Sequence, residues 1–175
     1  MAIVHATSIN PSKAEILEGL FGEPVEIIGA YRFDDPEGEV GVEGLIVTAA
    51  GGLRHVLMTY RGAPLEGADE HLLSRMEHGT LGHRWVYDGL GDPVAIGCLE
   101  RALAGEQQQA TLEVYDGDML VEVREPTVRV AVVEGDRAVQ RGLVIAGDLA
   151  EPLPSDGAHL VATWDGGEAV VVALA

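Results

Sequence analysis

The hydrophobic pattern of the first hundred residues changes between helical and strand-like spacing. After Asn10-Pro11, the apolar residues of ILEGLF (16–21) recur at one-turn spacing, which predicts an amphipathic helix with Asn10 as N-cap and Pro11 as first residue. Elsewhere, short apolar runs are separated by Gly, Pro and Asp, which is typical of antiparallel strands. The predicted strands are Ala2–Ala6, Val25–Phe33, Glu39–Ala49, Leu53–Arg61 and Leu81–Tyr87.

Two more helices are predicted among these strands. Leu72, Leu73 and Met76 would form the apolar side of a short helix over Ala68–Met76. Asp92-Pro93 starts another helix, by the same capping chemistry, which runs to about Ala104. A helix followed by an antiparallel meander predicts an α+β fold, in which the helix covers one face of a curved sheet.

A polar stretch, Gly105–Gln109, is the predicted linker to a second part of the chain. Beyond it the pattern is strand only, with Asp- and Gly-rich hairpin turns at 116–118, 134–136 and 165–167. The predicted strands are Ala110–Tyr115, Met119–Arg124, Thr127–Val133, Ala138–Ile145, His159–Trp164 and Ala169–Leu174. We therefore expect a domain at 1–104 and a second β-rich antiparallel layer at 105–175, either as a separate domain or as one continuous unit with the first.

The net charge of the chain disfavours two classes of binding partner. The net charge is −18 and the sequence pI is about 4.5, so the surface repels nucleic acid and anionic membranes. Such acidity either keeps the protein in solution or forms a face that docks a basic partner. Ten of the eleven basic residues are arginine, with Lys13 as the exception, which favours a high-GC bacterial genome.

The single cysteine of the chain rules out an intramolecular disulfide. Cys98 lies in an apolar run, so we expect a buried core thiol rather than a reactive nucleophile. The N-terminus lacks the basic and apolar regions of a signal peptide, and no apolar stretch is long enough to cross a membrane. A cytoplasmic location is predicted.

Motifs of catalysis are missing from the sequence. Lys13 is far from any glycine-rich phosphate loop, and Gly89-Leu90-Gly91 runs into Asp92-Pro93 instead of completing a dinucleotide fingerprint. Neither a kinase catalytic loop nor a nucleophile elbow is found. His78 and His83 are five residues apart without a second ligand pair, so a metal site is disfavoured. We expect neither cofactor nor catalysis.

Arginine and aromatic residues end two of the predicted strands. They suit protein interfaces, because they combine rigid contact area with forked hydrogen bonds, and they also suit stacking on sugar rings. The alternative is that Trp85 and Tyr87 fill the core while the arginines pair with carboxylates. The candidate interaction surface consists of Tyr60, Arg61, His78, His83, Arg84, Trp85, Tyr87 and Asp88.

Three stretches of the sequence carry a family resemblance. They are ATSINPSKAEILEGLF (6–21), YRFDDPEGEVGVE (31–43) and MTYRGAPLEGADEHLLSRMEHGTLGHRWVYDGLGDPV (58–94). Together they resemble the N-terminal cap of actinobacterial maltokinases and related sugar kinases, whose caps precede two kinase lobes. The resemblance implies a cystatin-like outline for about residues 1–104. TLEVYDGDMLVEVREPTVRV (111–130) also resembles the first strands after the cap.

With 175 residues, the chain is too short for the kinase lobes as well. The resemblance therefore favours a non-catalytic cap-like module that binds or regulates another protein, either a separately encoded kinase-like or glucan-metabolising enzyme or a second copy of itself in a dimer. A sugar- or small-molecule-binding protein that uses the candidate interaction surface is the alternative. An enzyme with His78 or His83 as its base is the third hypothesis.

Overall fold

The computed structural model describes residues 2–5, 8–116, 118–136 and 142–174. Two helices occur in this part of the chain, α1 (Lys13–Phe21) and α2 (Pro93–Leu103). Short 3-10 turns lie at Asp69–His71 and Gly89–Gly91. The strands are β1 (Ala2–His5), β2 (Ile9–Asn10), β3 (Glu26–Asp34), β4 (Gly41–Ala49), β5 (Gly52–Arg61), β6 (Leu72–His78), β7 (Gly82–Asp88), β8 (Leu112–Asp116), β9 (Met119–Arg124), β10 (Val128–Val133), β11 (Leu143–Ile145), β12 (His159–Trp164) and β13 (Gly167–Leu174).

The strands form three sheets. Six of them make a curled half-barrel in the order β2-β6-β7-β5-β4-β3, with antiparallel neighbours throughout. β10-β12-β13-β11 form a second antiparallel sheet. β1-β8-β9 form a third, in which β1 runs parallel to β8. The predicted α+β class, with a helix on an antiparallel meander and a further β-rich layer, is confirmed.

The predicted helix over Ala68–Met76 is wrong. Only Asp69–His71 makes a helical turn, and the chain then enters β6, which pairs with β7 from Leu72↔Tyr87 to His78↔Gly82. In so short a segment, apolar residues at 72, 73 and 76 fit either period, and long-range pairing decided between them. Met76 is buried in an apolar cluster with Ile16 and Leu17 of α1.

The start of α1 also differs from the prediction. The N-cap is Ser12, whose hydroxyl accepts the N–H of Glu15, while the Glu15 carboxylate accepts the N–H of Ser12. Asn10 belongs to β2 instead. This capping box is a recognised sequence signal, S-x-x-E, and it outweighs the Asn-Pro pair. The helix ends at Phe21, and Gly22 follows it in the left-handed conformation.

Most other predicted elements are confirmed within one to three residues, including α2 with Asp92 as N-cap. Of the predicted strand Ala138–Ile145, residues 138–141 lie outside the described part, and β11 covers its end. Ala6 and Gly117, in another predicted strand and turn, lie outside it too.

The half-barrel packs on both faces. On one face, Ile16 and Leu17 of α1 cover Leu45, Met58 and Val86 and their neighbours. On the other face, α2 and the sheet β10-β12-β13-β11 share one hydrophobic cluster with the meander. That cluster joins residues from both sides of the predicted linker, namely Tyr31, Phe33, Val42, Ile46, Leu99, Val128, Leu160 and Val172.

Candidate functional site

Asp92 is the centre of a buried polar cluster at the start of α2. Its carboxylate is fully buried and accepts two hydrogen bonds from Arg61, at 2.7 Å from Nε and 2.6 Å from Nη2. Thr59 Oγ1 donates to it at 2.7 Å, and the Val94 N–H donates at 3.0 Å as the helix cap. Burial alone would raise the pKa of Asp92, but these donors lower it below the usual value. The carboxylate is therefore ionised and saturated with partners.

Glu43 is the centre of a second cluster, on the face that α1 covers. Lys13 Nζ lies 2.7 Å and Arg32 Nε 3.3 Å from its Oε1, and the Tyr60 hydroxyl donates to Oε2 at 2.6 Å. Although burial opposes ionisation, the two cations and these hydrogen bonds lower the pKa of Glu43 to about 2. The cluster ties α1, β3, β4 and β5 together.

His55 forms a third buried contact, where β5 meets the C-terminal part of the chain. Its Nε2 lies 2.8 Å from the Tyr31 hydroxyl, and its Nδ1 lies 3.0 Å from the Ala146 carbonyl oxygen. Because a carbonyl can only accept, Nδ1 carries the proton and Nε2 accepts from Tyr31. A Cβ on Gly44 would lie 2.1 Å from the Tyr31 ring, so only glycine leaves room for this tyrosine.

We expect the His55 contact to make stability depend on pH. Burial lowers the pKa of His55 from 6.5 to about 4 in the folded chain, so the unfolded chain binds the proton more readily. Neutral His55 therefore contributes its full share to the free energy of unfolding above pH 6.5. This contribution declines by about 3 kcal/mol as the pH falls to about 4. Urea unfolding across this range should give a flatter pH profile for His55→Gln than for the unaltered chain. Parallel profiles would contradict this assignment.

The candidate interaction surface is split by the fold. Tyr60 and Tyr87 are buried, with the Tyr87 hydroxyl accepting the Leu65 N–H at 2.9 Å, and Arg61 is bound to Asp92. Trp85 is half-buried opposite Arg61. The other four residues are partly or fully exposed on the β6–β7 hairpin and at the end of β7: His78, His83, Arg84 and Asp88.

His78 and His83 serve different local contacts. His78 Nδ1 accepts the N–H groups of Thr80 and Leu81, at 3.3 and 3.1 Å, and so closes the β6–β7 turn. His83, which is exposed, pairs with Glu77 across the hairpin. Among the described residues, no group of three or more His, Cys, Asp and Glu side chains is placed to hold a metal ion.

A cleft of about 340 Å³ lies between β5, the end of α1 and the segment 145–148. Leu20, Phe21 and Leu90 line its apolar side. The Arg54–Asp148 ion pair lines its polar side, together with other residues of β5 and β7. Its volume is at the lower end of the range of small-molecule sites.

The β8–β9 hairpin carries a contiguous exposed apolar strand. Met119, Leu120, Val121 and Val123 of β9 have 67%, 45%, 53% and 55% of their surface exposed. Within the described residues, β8 is the one strand that pairs with β9, so the other edge of β9 is open to a further strand. Long apolar edges of this kind are sites of strand addition, because their N–H and C=O groups lack partners.

The environment of Cys98 and the length of the helices are two further features of the described structure. Cys98 is buried, as expected, and burial raises the pKa of its thiol. In the part of the chain that the structure describes, no helix is long and apolar enough to cross a bilayer.

The class of this module is indicated by a family match, which points to a kinase-associated N-terminal module. Residues 18–92 match the family described as the maltokinase N-terminal cap domain, so this segment is a maltokinase N-terminal cap-like domain, as the sequence resemblance predicted. No curated protein and no solved structure matched the chain.

Proposed function

We propose that this chain is a non-catalytic protein-interaction module that docks other polypeptides through the β8–β9 hairpin. The observation that carries the proposal is the exposed apolar strand β9 with its open edge. The hairpin follows the segment that matches the cap family, after α2. A separately encoded kinase-like or glucan-metabolising enzyme, which the module would regulate, is one class of partner.

Other segments of this chain cover parts of two strands of the cap sheet, β3 and β5. On β3, the Ala30 N–H donates to Thr127 Oγ1 at 2.8 Å and the Arg32 carbonyl accepts from Ala110 at 2.7 Å. On the part of β5 that β7 leaves open, the His55 N–H donates to the Gly147 carbonyl and Leu53 accepts from Leu149, both at 3.0 Å. These contacts occupy open positions of β3 and β5, whereas β9 pairs with β8 alone among the described strands, which supports its free edge as the docking edge.

The state of the titratable groups supports a non-catalytic role. Displaced pKa values often mark active sites, but here the displaced carboxylates are saturated by structural partners. Glu43 and Asp92 each have 3% or less of their surface exposed, and neither opens into the cleft. A buried thiol and the absence of a membrane-spanning helix among the described residues fit a cytoplasmic location, which we also propose.

Photo-crosslinking in the organism's own cells tests the docking surface. A benzoylphenylalanine at Val121 should give an adduct whose polypeptide is identified by mass spectrometry, and Val123→Asp should abolish it. The matched control is the same probe at Leu81, which is similarly exposed (44%) on the β6–β7 hairpin. Equal adducts at both positions, or no polypeptide at Val121, would contradict the proposal. Turnover of ATP with a carbohydrate by the purified chain would contradict its non-catalytic part.

The cleft beside β5 favours a second candidate function, the binding of a small molecule. Because Asp88 and Asp148 outnumber Arg54 in its lining, the cleft suits a neutral or cationic ligand. Thermal shift with maltose, trehalose, glucosamine and ATP is the test. At 100 times the dissociation constant, a ligand stabilises the fold by about 2.7 kcal/mol. Arg54→Ala should remove the shift, and unchanged melting with every compound would count against this candidate.

A further inference from the structure

We propose that the polypeptide seated on the β9 edge is a second copy of this chain. Two β9 strands pair antiparallel across a two-fold axis that passes through Val123. This inference rests on the proposed docking function and names the partner. A symmetric dimer is the simplest arrangement in which one edge strand covers another, because the same surface serves on both sides.

The symmetry restricts the register of such a pair. In antiparallel strands, successive residues point their N–H and C=O groups to alternate sides, so only every second residue can bond across the new edge. A two-fold axis between identical strands must therefore pass through a residue and not between two residues. The axis can lie on Val121, Glu122 or Val123, near the middle of the exposed segment.

The charge pattern selects Val123. With the axis there, Glu122 of each copy faces Arg124 of the other, and the two valines at 123 meet. In the single chain, Glu122 Oε2 and Arg124 Nε already lie 2.8 Å apart, so both side chains stand on the same face of β9. Pairing would place two glutamates and two arginines in an alternating square on that face, with the valines on the other.

The other two registers are less favourable. An axis on Glu122 sets two like charges directly opposite each other, which is destabilising. An axis on Val121 falls on an irregular position of β9. Val114 of β8 lies opposite Glu122, and the next residue of β8, Tyr115, lies opposite Leu120, so Val121 has no partner position on β8. It also places Leu120 opposite Glu122 of the other copy. Val123 lies in the regular part of the strand.

The resulting interface is short. The regular strand ends at Arg124, and Pro126 has no N–H to extend the ladder. We therefore expect a reversible, concentration-dependent dimer rather than a permanent one. Light scattering at about 5 and 500 µM in physiological salt should show the mass rise from 18.5 kDa towards twice that value.

Cross-linking through a single new thiol tests the axis. The native Cys98 is buried, so Val123→Cys provides the only accessible thiol among the described residues. Residues on a two-fold axis between antiparallel strands lie about 4.5 to 5.5 Å apart at Cα, within the range that a disulfide spans. Mild oxidation should convert Val123→Cys largely to a covalent dimer, whereas the control Leu81→Cys should stay monomeric. Equal yields from both variants would overturn the register.

A charge exchange tests the partner residues. Glu122→Arg alone should weaken the dimer about tenfold, because it replaces two attractive pairs with two repulsive ones. The double variant Glu122→Arg with Arg124→Glu should recover affinity to within about threefold, since the pairs are restored in reverse. Both residues are exposed, so the fold should tolerate both changes, which circular dichroism verifies. Equal weakening by the single and double variants would contradict the cross-strand pairing.

The outcomes separate this inference from the docking function. A chain that stays monomeric at 500 µM, with Val121 cross-linked to a different polypeptide in cells, would overturn self-pairing and leave the docking function standing. A monomer without any adduct at Val121 would overturn both. Dimerisation that survives Val123→Asp would place the interface between copies elsewhere and overturn self-pairing, while the adduct at Val121 would still decide the docking function.

Discussion

Replacing Glu43 by glutamine is expected to lower the free energy of unfolding by about 3–5 kcal/mol, because it removes the counter-charge of two cations. Lys13 and Arg32 would keep their positions beside a neutral amide, and the side chain of Arg32 has only 17% of its surface exposed. Urea unfolding at pH 7 measures this loss. In a chain of this size, it corresponds to a melting temperature lower by about 10 °C.

Two comparisons make the Glu43 prediction specific. Lys13→Met should have a smaller effect, since Lys13 is 31% exposed and Glu43 keeps Arg32 and Tyr60 as partners. Glu18→Gln, on the exposed side of α1, should change stability by less than about 0.5 kcal/mol. A loss at Glu43 no greater than that at Glu18 would show that the buried ion cluster does not hold α1 on the sheet.

Replacing Asp92 by alanine is expected to lower the free energy of unfolding by about 3–5 kcal/mol as well. The change removes the N-cap of α2. It also removes the carboxylate that accepts hydrogen bonds from Arg61 and Thr59. Since α2 contributes Ala95, Cys98 and Leu99 to the cluster shared with the C-terminal sheet, the effect should extend to that sheet. Thermal unfolding followed by circular dichroism is the measurement.

Ser12→Ala is the matched control for Asp92→Ala. It also removes an N-cap, that of α1, but Ser12 carries no buried ion pair, so its loss should be about 1 kcal/mol. If Ser12→Ala and Asp92→Ala lowered the free energy of unfolding by the same amount, the Arg61–Asp92 pair would contribute negligibly to stability.

Elements with strong local signals could be predicted from the sequence. The meander was recognisable because Asp, Pro and Gly turns separate its apolar runs, as at Asp35–Gly38 between β3 and β4. Asp92-Pro93 predicted the start of α2, because that signal lies within two residues.

Features that depend on distant residues could not be predicted. β6 forms a strand because β7 pairs with it, whereas its own apolar spacing also fits a helix. Glu43 meets Lys13 from 30 positions away, and His55 meets Ala146 from 91 positions away. The sequence indicated the β8–β9 hairpin by its alternation, but alternation predicts one buried face, and β9 is exposed on both. The open edge of β9 therefore emerged only from the structure.

Hydrogen exchange of the intact chain tests the docking role of β9 most directly. Those amides of residues 119–124 that point away from β8 should exchange fast at low concentration and more slowly at high concentration or with the cross-linked partner, since an added strand bonds their N–H groups. β6, which is already paired within the half-barrel, is the internal reference and should not change. Slower exchange confined to 119–124 is the predicted result. Unchanged exchange there in the assembled protein would contradict the account.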